Sequence, residues 1–149
     1  MVFKLYLDID GVLLGKNEKD QIVVIPHIKE FLLYTKRTFD CYWLTTHCRY
    51  DKKEATRYLR PYLPKSTLTL FSHIKPLYWR TLKTEAIDFK HPFIWIDDSP
   101  LIYEIEILKR KDCLKNWLHV DSYKNINDLT IEKLEQKRKE ILEMGNIEI

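Results

Sequence analysis

Val2-Phe3-Lys4-Leu5-Tyr6-Leu7 runs directly into Asp8-Ile9-Asp10-Gly11. The first six residues form an apolar, alternating run that reads as a strand entering a core. The two carboxylates stand two positions apart at its end, and they would point the same way if the strand continued. Like charges that close are costly unless a cation or a chemical task holds them together. On their own these residues also fit a solvated Asp-x-Asp turn. Gly11 lets the backbone turn sharply, or approach a ligand closely, with no Cβ in the way.

Two other stretches supply the matching half of a site. Phe93-Ile94-Trp95-Ile96 is a short, wholly apolar run, the pattern of a buried parallel strand. It ends in Asp97-Asp98, with Ser99-Pro100 placed to start a helix. Cys41-Tyr42-Trp43-Leu44 is a third such run and ends in Thr45-Thr46. Ligands of open parallel α/β sheets bind just beyond the carboxyl ends of the strands. Three strand-like segments that all end in oxygen-bearing side chains therefore point to one site.

The remaining pattern alternates strands and helices. Strands are expected over 2–8, 40–45, 67–71, 93–97 and 117–120, and a small hairpin flap over 12–25. Helices are expected after Pro26, over about 50–60, 77–89 and 100–111, and from Asp128 onward. Such alternation implies a parallel sheet covered on both faces. The 149 residues suffice for one domain, 1–149, with a real core. Charged residues at 32% and hydrophobic residues at 45% fit a globular chain rather than a disordered one. No apolar run approaches a membrane span, and the start lacks the layout of a signal peptide, so a cytoplasmic protein without membrane association is expected. Three widely spaced cysteines favour free thiols over a disulfide framework. With three glycines in all, no phosphate-cradling glycine loop of the P-loop type is present.

Net charge is +3, too slight to imply nucleic acid. Between His47 and Lys65, however, six basic residues stand among Tyr50, Tyr58 and Tyr62, a mixture suited to phosphodiesters and stacked bases. An amphipathic helix with inward tyrosines explains the same residues.

Together these residues resemble motifs I to IV of the haloacid dehalogenase (HAD) superfamily: Asp8-x-Asp10-Gly11, Thr45, a lysine, and Asp97-Asp98, in the family's order and across most of the chain. The short connections between them resemble the capless class. Within it, Tyr42-Trp43-Leu44-Thr45-Thr46 and Leu82-Lys83-Thr84-Glu85-Ala86-Ile87, with the segment from His91 to Asp98, are similar to small bacterial HAD-like proteins, some of them associated with RNA repair. The resemblance implies a three-layer Rossmann-like core with a five-stranded parallel sheet, a flap hairpin and no cap domain. It implies a Mg²⁺-dependent phosphohydrolase working through an aspartyl-phosphate. Asp8 would be the nucleophile, Asp10 the acid–base, and Thr45 and Lys83 the groups on the phosphoryl oxygens. Asp8, Asp10 through its backbone carbonyl, Asp97 and Asp98 would hold the metal. Lys75, just before Pro76, competes with Lys83 for the lysine role. The chemistry suits the residue types, because a carboxylate can attack phosphorus and split a hard hydrolysis in two. The expected partner is a phosphorylated substrate, with the basic segment inclining toward a nucleotide or a nucleic-acid end. A phosphoprotein phosphatase and a non-catalytic phosphate- or metal-binding module are the alternatives. A receiver domain fits poorly, since its acidic pair would follow the first strand and its phosphorylated Asp a middle one.

Overall fold

The computed structural model describes residues 2–147. Four parallel strands form the central sheet. The first, β1 (Lys4–Leu7), leads through a hairpin, β2 (Leu14–Lys16) and β3 (Ile22–Val24), to helix α1 (Ile28–Thr38) and strand β4 (Asp40–Trp43). Helix α2 (Lys52–Leu59) and the short α3 (Lys65–Leu68) precede β5 (Phe93–Asp97). Helix α4 (Ile102–Arg110), β6 (Trp117–His119) and α5 (Ile131–Ile147) complete the described chain. Strand order is β4-β1-β5-β6, all parallel, which makes the architecture Rossmann-like α/β.

The alternation along the strands explains why both faces are covered. Leu5, Leu7, Ile94 and Ile96 pack on one face with Phe31 and Leu32 of α1, Ala55 and Leu59 of α2, and Leu134 of α5. Tyr6, Phe93 and Trp95 pack on the other with Leu108 of α4 and Trp79. Trp43 and Trp95 are wholly buried and belong to the core.

Among the described residues two expected elements do not form, and the sheet has four strands where five were expected. Residues 67–71 are helical, in α3 and a following 3₁₀ turn. Their buried positions, Thr67 and Phe71, stand four residues apart, a helical spacing, and the alternate position Thr69 is exposed. Pro64, which cannot donate to a ladder, opens this turn by accepting from the Thr67 and Leu68 N–H groups. All that remains of a fifth strand is a single parallel bridge between Tyr42 and Lys75. The helix expected over 77–89 is reduced to a 3₁₀ turn at Lys83–Ala86. The N–H groups of Arg80, Thr81 and Leu82 donate to the Glu85 carboxylate, so the segment before the turn bonds to a side chain instead of a helical ladder.

The hairpin expected over 12–25 does form, as an antiparallel pair. It is fastened to the loop after β6: Ser122 N–H donates to the Gly11 carbonyl at 2.8 Å and its hydroxyl to the Val12 carbonyl at 2.6 Å. The Lys16 N–H in turn donates to the Ser122 carbonyl. This contact is so close that a Cβ on Gly15 would lie 2.1 Å from the Ser122 carbonyl oxygen. No helix among the described residues is long and apolar enough to cross a membrane. Gly15→Ala is expected to lower unfolding free energy by about 2 kcal/mol, the cost of pushing one backbone off another. Denaturant unfolding measures it, and unchanged stability would mean that the hairpin is not held in this way.

Candidate active site

Strand order reverses direction between β1 and β5, because the chain passes to β4 on one side of β1 and then to β5 on the other. At such a switch point the loops separate and leave a crevice at the carboxyl ends of the strands. Asp8 follows β1 and Asp97 ends β5, so both carboxylates emerge into that crevice. Carboxylate oxygens of Asp8, Asp97 and Asp98 all lie within 4.8 Å of one another.

Lys83 is the cation of the group. Its Nζ donates to Asp97 Oδ2 at 2.7 Å and to Asp8 Oδ2 at 3.1 Å. Asp8 Oδ1 accepts from the Ile9 N–H, and Asp97 Oδ1 from the Ser99 N–H. The Lys83 side chain gets there because of Glu104, a buried carboxylate in the first turn of α4. One Glu104 oxygen accepts from the Leu101 N–H, at the helix start, and the other from the Lys83 N–H at 2.5 Å. Glu104 thereby joins α4 to the 3₁₀ turn that carries the lysine. This helix begins at Ile102 with Leu101 as its cap, not at Ser99-Pro100 as the sequence had implied. Lys75 lies elsewhere, with its Nζ on Asp40 at the opposite end of the sheet.

One ammonium does not balance three carboxylates. Burial, and then the charge of Asp97, push the Asp8 carboxyl up to about 7, against the opposing pull of Lys83. Burial and Asp97 likewise raise Asp98 to about 6. Burial alone would lower the Lys83 pKa, but Asp8 and Asp97 outweigh it and hold it above the ordinary value. Hard oxygen donors short of positive charge are the donor set that Mg²⁺ takes, and Asp8, Asp97 and Asp98 could hold such an ion. Gly11 makes room for this cluster. Its φ of +76° is in the left-handed region, and a Cβ there would lie 2.2 Å from Asp98 Oδ2.

Asp10 goes elsewhere. β1 ends at Leu7 and the chain turns at Gly11, and the Asp10 carboxylate takes partners other than those of Asp8. Asp10 Oδ2 lies 2.8 Å from His47 Nε2, and its Oδ1 accepts from the Tyr58 hydroxyl at 2.6 Å. The His47 and Tyr58 rings stack with centroids 3.6 Å apart. Burial and the bond to Asp10 push the Tyr58 phenol well above its usual range, so it stays a donor. Thr45 is buried at the end of β4, and its hydroxyl accepts from the His47 N–H.

In the sequence His47 marks only the start of the basic, tyrosine-bearing segment, and Tyr58 reads as part of a basic or amphipathic helix. Glu104 escaped that reading altogether. The one signal for Glu104 was a glutamate three residues after the helix cap. No protein-family model matches the chain, and no curated protein matches it.

A pH dependence follows from the raised carboxyls. The fold binds their protons more tightly than the unfolded chain, where aspartates titrate near 3.8. Their stabilisation is thus complete below that pH and is lost as pH rises through about 6 and about 7. Without divalent ions, the melting temperature should fall across this window. Asp98→Asn should flatten the fall and Mg²⁺ should oppose it. Thermal melts from acid to neutral pH, with chelator or with Mg²⁺, test this, and a profile indifferent to both changes would contradict the charge imbalance.

Proposed function

We propose that this protein is a Mg²⁺-dependent phosphomonoesterase of the capless HAD type, working through an aspartyl-phosphate on Asp8. The observation that carries the reading is the meeting of Asp8, Asp97 and Asp98 within 4.8 Å at the sheet's switch point, with Lys83 bonded to two of them. The motif residues come from three separate stretches of chain, and a surface cluster with no task would not need a buried lysine and a buried glutamate to build it.

Each residue's part follows from its chemistry. Asp8 is the nucleophile: one of its oxygens attacks phosphorus, and the bond to the leaving oxygen breaks. Asp10, held apart from the other carboxylates, gives that leaving oxygen a proton. It then takes one from the water that attacks the phosphoryl group on Asp8, which returns the electron pair to the carboxylate. Lys83 and the Thr45 hydroxyl stabilise charge on the phosphoryl oxygens. Mg²⁺ held by Asp8, Asp97 and Asp98, with the Asp10 carbonyl, would offset the repulsion between carboxylate and phosphate and polarise the phosphoryl group.

A nucleotide or a nucleic-acid end is the favoured phosphoester. The loop after Thr45 lays the Arg49 guanidinium 3.9 Å from the centre of the Trp79 ring. It also exposes Tyr50 beside Tyr78, with ring centroids 5.3 Å apart. Paired aromatics and a cation suit a base and its phosphodiester.

A phosphatase panel with Mg²⁺ tests the reading, using 3′- and 5′-phosphorylated oligonucleotides, nucleotides, sugar phosphates and phosphopeptides. Asp8→Asn and excess chelator should each abolish turnover while the fold persists by circular dichroism. Normal turnover by Asp8→Asn would remove the aspartyl-phosphate. Lys83→Ala should lower kcat/KM by about 100-fold or more, as loss of a charge-stabilising group does. Lys75→Ala should stay within about twofold of the parent, since an exposed ion pair contributes little.

A further inference from the structure

The geometry points to His47 and Tyr58 as positioning residues for Asp10, aiming its carboxylate at the leaving oxygen; the inference rests on the phosphohydrolase reading above. Asp10 is more exposed than the two buried acids of the site, Asp8 and Asp97. Its side chain is 39% exposed, against 11% for Asp8 and 1% for Asp97. A carboxylate so placed would normally sample several rotamers. Here both oxygens are engaged, one by His47 and one by Tyr58, so rotation about either side-chain bond breaks a contact.

The two partners are themselves fixed. His47 sits in the turn closed by the bridge between Thr45 and Cys48, and its N–H bonds to the Thr45 hydroxyl. The turn that sets Thr45 therefore also sets His47. Tyr58 lies on α2, one residue before Leu59 and three after Ala55, both wholly buried. Asp51 and Glu54 close a capping box at the start of the same helix. The near-parallel stack of the two rings, 8° apart, locks one partner to the other. Their chemistry also suits a group that must lose and regain a proton. An imidazole N–H and a phenol each donate to one lone pair of a carboxyl oxygen, and each oxygen keeps a second direction in which the transferable proton can sit. Neither partner has to leave when Asp10 passes its proton to the leaving oxygen or takes one from the attacking water. A misplacement of about 1 Å can cost on the order of 100-fold in rate, so a device of this kind has consequences for turnover.

A staple that merely holds α2 to the loop after β1 would show the same bonds, and leaving-group dependence separates the two. Acid assistance matters most when the leaving oxygen is basic. The experiment compares kcat/KM for phenyl phosphate and 2,4-dinitrophenyl phosphate, with Mg²⁺, in the parent protein, Asp10→Asn, Tyr58→Phe, His47→Ala and His47→Gln. Tyr58→Phe keeps the ring stack and His47→Gln keeps a donor, so fold and contact are separated. Tyr58→Phe and His47→Ala should lose at least about tenfold more on phenyl phosphate than on the activated ester, as Asp10→Asn does, with His47→Gln intermediate. Neither should add to the loss in an Asp10→Asn background. Equal losses on the two esters, or none, with Asp10→Asn still selective, would overturn the positioning role and leave the phosphatase reading intact. A parent protein inactive on both esters and on the wider panel would overturn the two together.

Discussion

Crowding of negative charge at the junction of β1 and β5 is the constraint around which the rest of the molecule is arranged. Two like charges about 4 Å apart repel by about 4 kcal/mol at the effective dielectric of a protein surface. Asp8, Asp97 and Asp98 face one another at about that range, the first two buried and the third half-buried, and one lysine offsets only part of the repulsion. A chain that tolerates this must enforce it with structure it cannot easily relax. The enforcement is visible in β5, five consecutive buried residues ending in Asp97, and in β1, whose parallel register with β5 sets Leu7 beside Ile96. It is visible again in Glu104, spent on bonding two backbone N–H groups so that Lys83 arrives from a segment with little regular structure of its own.

Legibility in the sequence followed how local each interaction was. β1, β4, β5 and β6 could be read because apolar runs bounded by polar side chains need only their own neighbours to be recognised. The acidic ends of β1 and β5 could be read for the same reason, and the parallel α/β reading brought them to one place. The segments 67–71 and 77–89 were misread because their fates depend on particular partners. Pro64 starts a helical turn under the first, and Glu85 draws off the N–H groups of the second. With 67–71 helical, the fifth strand shrank to one bridge at Lys75.

The site shows the same division. Asp8, Asp97 and Asp98 were named at strand ends and Lys83 from the resemblance of its flanking residues, and the four are brought together. Asp10 was named beside Asp8 but bonds to other partners. Its partners His47 and Tyr58 lie 37 and 48 residues further along, with nothing in their local sequence to tie them to a carboxylate. Lys83 was preferred to Lys75 because its flanking residues resemble the family's, and the structure puts Lys83 among the aspartates and Lys75 at the other end of the sheet.

Ser122 carries an implication for how the molecule comes into being. It supplies two hydrogen bonds to residues 11 and 12 and accepts a third from residue 16, across a separation of 110 positions for the Val12 contact. During synthesis from the amino terminus, the segment bordering the acidic centre must wait for the 110 residues that separate Val12 from Ser122 before these anchors exist. The face that bears the acidic cluster is thus unfinished until Ser122 has been made, long after the aspartate that opens it.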